Sequence, residues 1–314
     1  MPKVSVIVPN YNHSDFLRER LNSIFNQTFQ DFEVILLDDH STDNSVDILK
    51  EYADHEKVSN VVLNSENSGS PFKQWQRGIE LAAGEYIWIA ESDDRADKKL
   101  LEIFTKKLER GVDLVYCRSV RIDEHGNKIS DEFWPDSLDN NRWKKDYENT
   151  GLDEIRNYLA YRSTIPNASS CVFRKKEDLF SDEIINSRFT GDWLFWVNYL
   201  KNSSLAFISE PLNGHRYHSG ATRARKDYSS MYLRLTERMR AIRLARKISG
   251  RGRIKIREYR KYKYLIRYIS RLKKEVPLTR LFRLLPVELL FYVYLFEVNN
   301  YRHFISGKIK KVPE

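Results

Sequence analysis

The sequence predicts an α/β fold: a mostly parallel sheet covered by helices on both faces, followed by a basic helical extension. Three observations carry this. Apolar runs of strand length alternate with helically spaced segments from the start of the chain. Those runs are apolar throughout rather than alternating, as strands covered on both faces are. Charge is also segregated. The formal total is +9 over 314 residues, yet Arg223 to Pro313 holds 26 Lys and Arg against 6 Asp and Glu, so the chain before it is acidic.

The elements follow in order. "VSVIVPNYN" reads as a buried strand closed by a Pro-Asn loop, and residues 14–27 as a helix behind a Ser14 cap. "FEVILLDD" is a second strand, "STDNSVDILKEYADH" a second capped helix and "VSNVVLNS" a third strand. "SPFKQWQRGIELAAG" is a third helix ended by Gly84, and "EYIWIAESDD" a fourth strand. A helix at 97–110 leads into "VDLVYCRSV", which continues the sheet. Residues 123–151 read as a polar surface excursion. "ASSCVFRKKED" is a short strand, "TGDWLFWVNYLKN" a helix opening at Asp192, and "LAFISEPLNGHRYHSGATR" a strand with a histidine-bearing loop. Basic helices begin near residue 227, with 251–274 read as one of them.

Ligands of such sheets bind beyond the carboxyl ends of the strands. Asn10 to Asn12, Asp38 with Asp39, and Glu91 to Asp94 all fall there. Three carboxylates within four residues repel one another, so a cation or open water should face them. Taken singly, each feature also has a plain structural reading. Asp38 and Asp39 suit a turn, with Ser41 capping a helix, and Asp93, Asp94 and Asp192 suit helix starts. Tyr11 could plug the sheet edge, His218 could be a surface histidine, and Trp193 and Trp196 fit core packing. Their joint placement at strand ends is what argues for a site.

Two cysteines, Cys117 and Cys171, are too few for a disulfide framework, and a reducing compartment is expected. The N-terminal apolar run is too short for the core of a signal peptide.

"VSVIVPNYN", "QDFEVILLDDHSTDNS", "NSENSG" with "GIELAAGEYIWIAESDD", then "TGDWLFW" and "HRYHSG" resemble, in that order, the family 2 glycosyltransferases. The resemblance spans roughly residues 3–225, five matching segments in order being far more specific than one motif. It implies the GT-A nucleotide-diphospho-sugar-binding fold, a divalent cation (Mg²⁺ or Mn²⁺) and transfer with inversion. It divides the chain into a catalytic domain at 1–225, with a nucleotide-sugar half at 1–115 and an acceptor half at 116–225, and an extension at 226–314. Pro9, Tyr11 and Asn12 are assigned to the nucleotide-base pocket, with Asp39 accepting from the base and Asp38 supporting it. Glu91, Ser92 and Asp93 stand at the family's Asp-x-Asp element, with Asp94 beside it. Asp93 is the expected metal ligand, joined by His218 over the diphosphate, and Asp192 matches the catalytic base.

The chain departs from the pattern in three places. Glu91 replaces an aspartate and is expected to reach the donor ribose or a metal-bound water. Gly191 stands where many members carry a second carboxylate before Asp192. Lys73 or Arg77 takes the place of the arginine before the third helix, and Lys73 is expected at the donor.

The resemblance also implies a hydroxyl acceptor on a glycan or lipid-linked carrier in cell-surface polysaccharide synthesis, with transfer to polyprenyl phosphate as the alternative. The basic extension predicts docking on an anionic membrane, on the inner face of the cytoplasmic membrane. Its longest uncharged apolar run, Leu289 to Phe296, is too short to cross a bilayer. The plain alternative is packing on the catalytic body or a homo-oligomer. The tail's charge alone also fits nucleic acid, but no recognition motif accompanies it.

Overall fold

The computed structural model describes residues 1–220, 227–272 and 277–305. The expected boundary at 225–226 and the end of the helix expected at 251–274 lie outside them. Four strands, β1 (Val4–Asn10), β2 (Phe32–Asp38), β3 (Val58–Leu63) and β4 (Tyr86–Ile89), pair in parallel in the order β3-β2-β1-β4. β1, β2 and β4 are buried at every position because helices cover both faces. β3 alternates between exposed and half-buried residues, as an edge strand does.

The helices between them are α1 (Ser14–Phe25), α2 (Ser45–Tyr52) and α3 (Pro71–Leu81). Ser70 caps α3 through its hydroxyl, which accepts the Phe72 N–H at 3.3 Å, with Pro71 at the first helical position. The expected Ser14 cap is displaced: Ser14 is the first helical residue, and its N–H donates to Asp43 Oδ2 at 2.9 Å. Asn44, not Ser41, occupies the cap of α2. α3 stops before Gly84, where a Cβ would meet the Ser5 backbone nitrogen at 2.7 Å.

Beyond β4 come β5 (Arg95–Ala96), α4 (Leu100–Leu108) and β6 (Leu114–Ile122). β7 (Lys128–Ser130) pairs with β6. β8 (Tyr147–Thr150) leads through a short α5 (Gly151–Glu154) and a π turn to β9 (Cys171–Arg174). β9 runs antiparallel between β4 and β6. α6 (Asp182–Ile185) and α7 (Gly191–Leu200) precede β10 (Ser204–Arg216), which lies parallel to β6. The short β5, β7 and β8 also pair antiparallel, so a parallel set of β1–β4, β6 and β10 carries reversed strands in its middle and at its margins. The polar excursion at 123–151 is pinned rather than free: Phe133 and Trp143 are buried, and Trp143 Nε1 donates to Tyr116 Oη at 2.9 Å.

The extension forms α8 (Tyr228–Ile248), a 3₁₀ turn (Ile256–Tyr262), α9 (Lys263–Leu272), α10 (Leu278–Leu284) and α11 (Val287–Ile305). The continuous helix expected over 251–274 therefore begins only at Lys263, after the 3₁₀ turn. The extension shares the main core with the catalytic body. Leu235, Met239, Ile242 and Ala245 are buried in the same cluster as Trp193, Phe195 and Leu159. Tyr161 Oη donates to Glu258 Oε1 at 2.7 Å, and Tyr262 Oη to the Ala160 carbonyl at 3.0 Å. Among the described residues no helix is long and apolar enough to cross a membrane.

Candidate active site

A cleft of about 910 Å³ opens beyond the carboxyl ends of β1 and β4. Its walls carry His13, Trp75, Glu91, Asp93 and Asp94 on one side and Asp192 with α8 on another. Proximity of β1 to β4 in the sheet explains the first group. The loop after β1 delivers His13 to the loop after β4, so His13 Nδ1 lies 2.8 Å from Ser92 Oγ. His218, two residues past β10, places Nε2 3.1 Å from Asp93 Oδ2. The ligand atoms of His13, Asp93 and His218 all lie within 4.8 Å of one another. Burial holds the His13 imidazole below its ordinary value, which favours the neutral ring with a free lone pair.

The neighbouring carboxylates are differently employed. Asp94 is buried and accepts the Arg216 N–H at 2.9 Å and the Asn167 amide, which ties β10 to the strand-end loop. Burial, then the adjacent Asp93 charge, pushes it up to about 6. Glu91 accepts the Trp75 indole N–H at 2.9 Å, and burial followed by Asp93 and Asp94 pushes it up to about 8. Glu91 thus hydrogen-bonds a tryptophan of α3. Its protonated form relieves the repulsion among the three acids. A second answer to that repulsion lies beneath them. Arg20 of α1 is fully buried, 4.8 Å from the Trp88 ring centroid, and its charge acts on Asp94, Asp93 and Glu91. Burial lowers it to about 10, still cationic at neutral pH. Arg216, also buried, clamps the loop by donating from Nε to the Asp93 carbonyl at 2.8 Å.

The turns that follow β1 and β2 are locked by side-chain hydrogen bonds. Asp38 accepts Asn10 Nδ2 at 2.8 Å and both the N–H and hydroxyl of Ser41, at 2.8 and 2.6 Å. Asp39 accepts Asn64 Nδ2, the Ser68 N–H and Gln74 Nε2 on Oδ1, and the Ser68 hydroxyl on Oδ2, all at 2.8–2.9 Å. The turn reading of both residues is therefore real, and both are buried. Asn12 adopts φ 55°, which Asn tolerates better than most residues, and its Oδ1 accepts the Thr42 N–H at 2.7 Å. Pro9 is buried in β1 while Tyr11 is 45% exposed, free to cover a ligand rather than to plug the sheet. Lys73 donates from Nζ to the Ser68 carbonyl at 2.9 Å, and Arg77 pairs with Glu80 at 3.8 Å on the helix surface. Neither lines the cleft, and the same holds for Pro9, Tyr11, Asn12, Asp38, Asp39, Ser92 and His218, whereas Glu91, Asp93, Asp94 and Asp192 do.

Asp192 is the second residue of α7, where its Oδ1 accepts the Trp193 N–H at 2.8 Å. Burial is the largest cause that pushes its carboxyl up to about 6, and Glu237 adds to it while Arg238 opposes it. Glu237, a buried acid of α8, accepts the N–H groups of Arg188, Phe189 and Thr190 at 2.7–2.8 Å. The extension thereby holds the segment that leads into Asp192. Gly191 has a steric reason as well: a Cβ there would meet the Phe72 ring at 2.5 Å and Ser187 Cβ at 2.7 Å. The second carboxylate that the family pattern leads one to expect at this position would clash with these neighbours. Trp193 and Trp196 are core residues, the former donating from Nε1 to the Leu159 carbonyl at 3.0 Å.

The sequence profile of Glycosyl transferase family 2 matches residues 5–178. The chain belongs to that family. It is 30% identical over 225 residues to the glycosyltransferase GlyG of Streptococcus pneumoniae, covering 69% of this chain and 72% of that protein. It is 28% identical over 205 residues to the GalNAc(5)-diNAcBac-PP-undecaprenol β-1,3-glucosyltransferase of Campylobacter jejuni, covering 65% and 62% respectively. The matched stretches thus span about two thirds of these relatives' length. The fold is also that of S. aureus TarS in complex with UDP-GlcNAc, at a TM-score of 0.59 and 21% identity over 97% of this chain and 92% of that one. The glycosyltransferase family membership makes the chain an enzyme of sugar transfer with a GT-A fold.

Proposed function

We propose that the chain is a metal-dependent, inverting glycosyltransferase that moves a sugar from a nucleotide diphosphate sugar to a hydroxyl of a lipid-linked or surface glycan. The observation that carries this reading is the one cleft shared by the strand-end acids and Asp192. His13, Asp93 and His218 would hold the cation, and one carboxylate with two imidazoles is a donor set that suits Mn²⁺ better than Mg²⁺. When bound, the cation neutralises charge on the departing nucleoside diphosphate. Asp38, Asp39 and Asn12 hold the turns that shape the base pocket, and Tyr11 covers it. Arg20 beneath the acids moderates their mutual repulsion whether or not a donor is present.

Asp192 takes the proton of the acceptor hydroxyl. The acceptor oxygen bonds to the anomeric carbon as the bond from that carbon to phosphate oxygen breaks, its electron pair leaving with the diphosphate. A carboxyl with its pKa near 6 is ionised at neutral pH yet basic enough to share a proton in the transition state. A base in this position suits a hydroxyl acceptor, since the attacking oxygen of polyprenyl phosphate already carries charge. The relatives' names support the acceptor and donor classes: a diphosphate-linked undecaprenol in one, UDP-GlcNAc in the other.

A peripheral position on the inner membrane face is supported by exposed Val287, Phe291, Tyr294 and Leu295 on α11, with Phe282 on α10. The α11 residues at 287, 291, 294 and 295 recur at helical spacing and form one exposed apolar stripe. Internal use of tail cations, such as Arg246 and Arg251 on Glu258, leaves less of the charge for nucleic acid. The test is a panel of sugar nucleotides, beginning with UDP-GlcNAc, scored for Mn²⁺-dependent thermal stabilisation and hydrolysis. Stabilisation by one nucleotide family, abolished by chelator, is expected. Stabilisation by none would remove the reading.

A further inference from the structure

The wall of the cleft across from Glu91, Asp93 and Asp94 is mainly cationic, its acids being Asp192 and Glu132, which pairs with Arg121 at 3.0 Å. Arg121 of β6, Arg162 after the π turn, Arg234 and Arg238 of α8, Lys261 and Arg267 all line it. All six come from residues 116–225 or the extension, the part of the chain that also carries Asp192. Two of them have only neutral hydrogen-bond partners. Arg162 donates to Ser137 Oγ at 3.1 Å and to the Trp134 carbonyl at 3.4 Å. Arg238 donates from Nη2 to Tyr264 Oη at 3.3 Å, while its Nη1 is buried with no partner.

Aromatic faces hold both guanidiniums in place. Arg162 sits 4.3 Å from the Tyr264 ring centroid, and Arg238 sits 4.5 Å from that of Tyr268. The excess of positive potential is felt by the phenol between them. Burial alone would raise Tyr264, but Arg238, Arg162 and Arg234 outweigh it and hold it below its ordinary value. Crowding like charges around a cleft is costly without an anion to receive them. The donor's diphosphate does not account for them, because the donor side is built from β1, β2 and β4.

We infer that the acceptor carries a phosphate ester close to its reacting hydroxyl, bound by Arg162 and Arg238 with Arg267 at the rim. This rests on the glycosyltransferase reading and names its acceptor. Arg238 and Asp192 line the same cleft, and the Arg238 charge acts on that carboxylate, so an acceptor held at Asp192 lies on the cationic side of the cleft. Planar guanidinium forks fit phosphate oxygens in pairs, which fixes the acceptor's orientation as well as its charge. Two sources share this chemistry: a polyol-phosphate polymer, or a sugar linked through diphosphate to a lipid.

The experiment measures transfer by the full chain to three acceptors, a ribitol-phosphate oligomer, a sugar-diphosphate-undecaprenol and a neutral oligosaccharide, at 50 and 200 mM salt. At least one phosphate acceptor should be used, with KM rising steeply with salt, and which of the two is used identifies the source. Arg162→Gln and Arg238→Gln should each raise its KM roughly ten- to hundredfold, as loss of a charge-assisted contact does. Arg267→Gln, at an exposed residue where folding is not at issue, should raise it by a smaller factor. Lys106→Gln, on the distant face of α4, is the charge-matched control. Equal use of the neutral acceptor, without salt dependence and without a KM effect in Arg267→Gln, would overturn the inference. UDP-sugar stabilisation of the wild-type chain separates the two levels. If it is present while the phosphate acceptors fail, the acceptor assignment alone falls. If it is absent, the glycosyltransferase reading falls with it.

Discussion

Replacing Glu237 by glutamine removes one negative charge and turns one acceptor into a donor, in a buried site where every facing group is itself a donor. In the native chain Oε1 accepts the Arg188 N–H, and Oε2 accepts those of Phe189 and Thr190. The Thr190 hydroxyl adds a fourth bond, to Oε2, at 3.2 Å. The new amide nitrogen leaves at least one of these N–H groups facing a donor, a cost of roughly 1–3 kcal/mol for each unsatisfied group. For a chain of this size that lowers Tm by about 2–8 °C. The larger consequence lies two residues on, at Asp192. A segment that loses its anchor no longer fixes the base, and a misplaced base costs on the order of a hundredfold in rate. There is also an electrostatic signature. Glu237 contributes to raising Asp192, so its neutralisation should move the acidic limb of the kcat/KM profile to lower pH. In the wild type that limb should fall tenfold per pH unit below about 6, because only the ionised carboxylate accepts a proton. The assay is transfer rate against pH for wild type and Glu237→Gln, with Tm measured alongside. A variant with the wild-type rate and an unmoved limb would refute the coupling of the extension to the base.

Other outcomes follow from the same geometry. Asp192→Asn should lower kcat by at least about a thousandfold while nucleotide-sugar stabilisation persists, since the base acts only on the acceptor. His13→Ala should weaken Mn²⁺ binding measured calorimetrically by tenfold or more, comparably to Asp93→Ala, because both offer atoms to one cation site. Gly191→Glu, which adds the second carboxylate expected from the family pattern, should destabilise the chain, since even its Cβ meets Phe72; a variant with unchanged Tm would contradict this. Truncation at residue 225 should give insoluble protein rather than a clean catalytic domain. It strips Leu235, Met239, Ile242 and Ile266 from the core, and each large apolar deletion costs about 2–5 kcal/mol against a total stability of about 5–15.

The strands and helices of the first hundred residues were legible because continuous apolar runs and helical spacing are local signals. So were the carboxylates at the strand ends, since the sheet rule places them once the strands are known. What escaped was whatever depends on which strands are neighbours. His13 joins Asp93 only because β1 lies beside β4, a pairing that leaves no mark near residue 13. The reversal of β9 is equally silent, as a short buried strand has the same composition in either direction. Arg20 and Glu237 did leave a signal that the pattern reading passed over. Each is a charged residue on the apolar face of its helix, between Leu17, Leu21 and Ile24 in one case and Leu235 and Met239 in the other. A charge in such a position must be answered from elsewhere in the fold, here by the acid cluster and the loop at 188–190. The length of the extension was visible too, but its basic residues suggested an outward face. In the structure many of them turn inward, onto the cleft.

Stereochemistry tests the central claim most directly. A single carboxylate positioned to deprotonate the acceptor, with no nucleophile forming a sugar–enzyme bond, inverts the anomeric centre. Proton NMR of the first-formed product from an α-linked UDP-sugar, with Mn²⁺ present, should show the β-anomeric coupling in the wild type and no product with Asp192→Asn. An α-linked product would contradict the role given to Asp192 and the mechanism built on it.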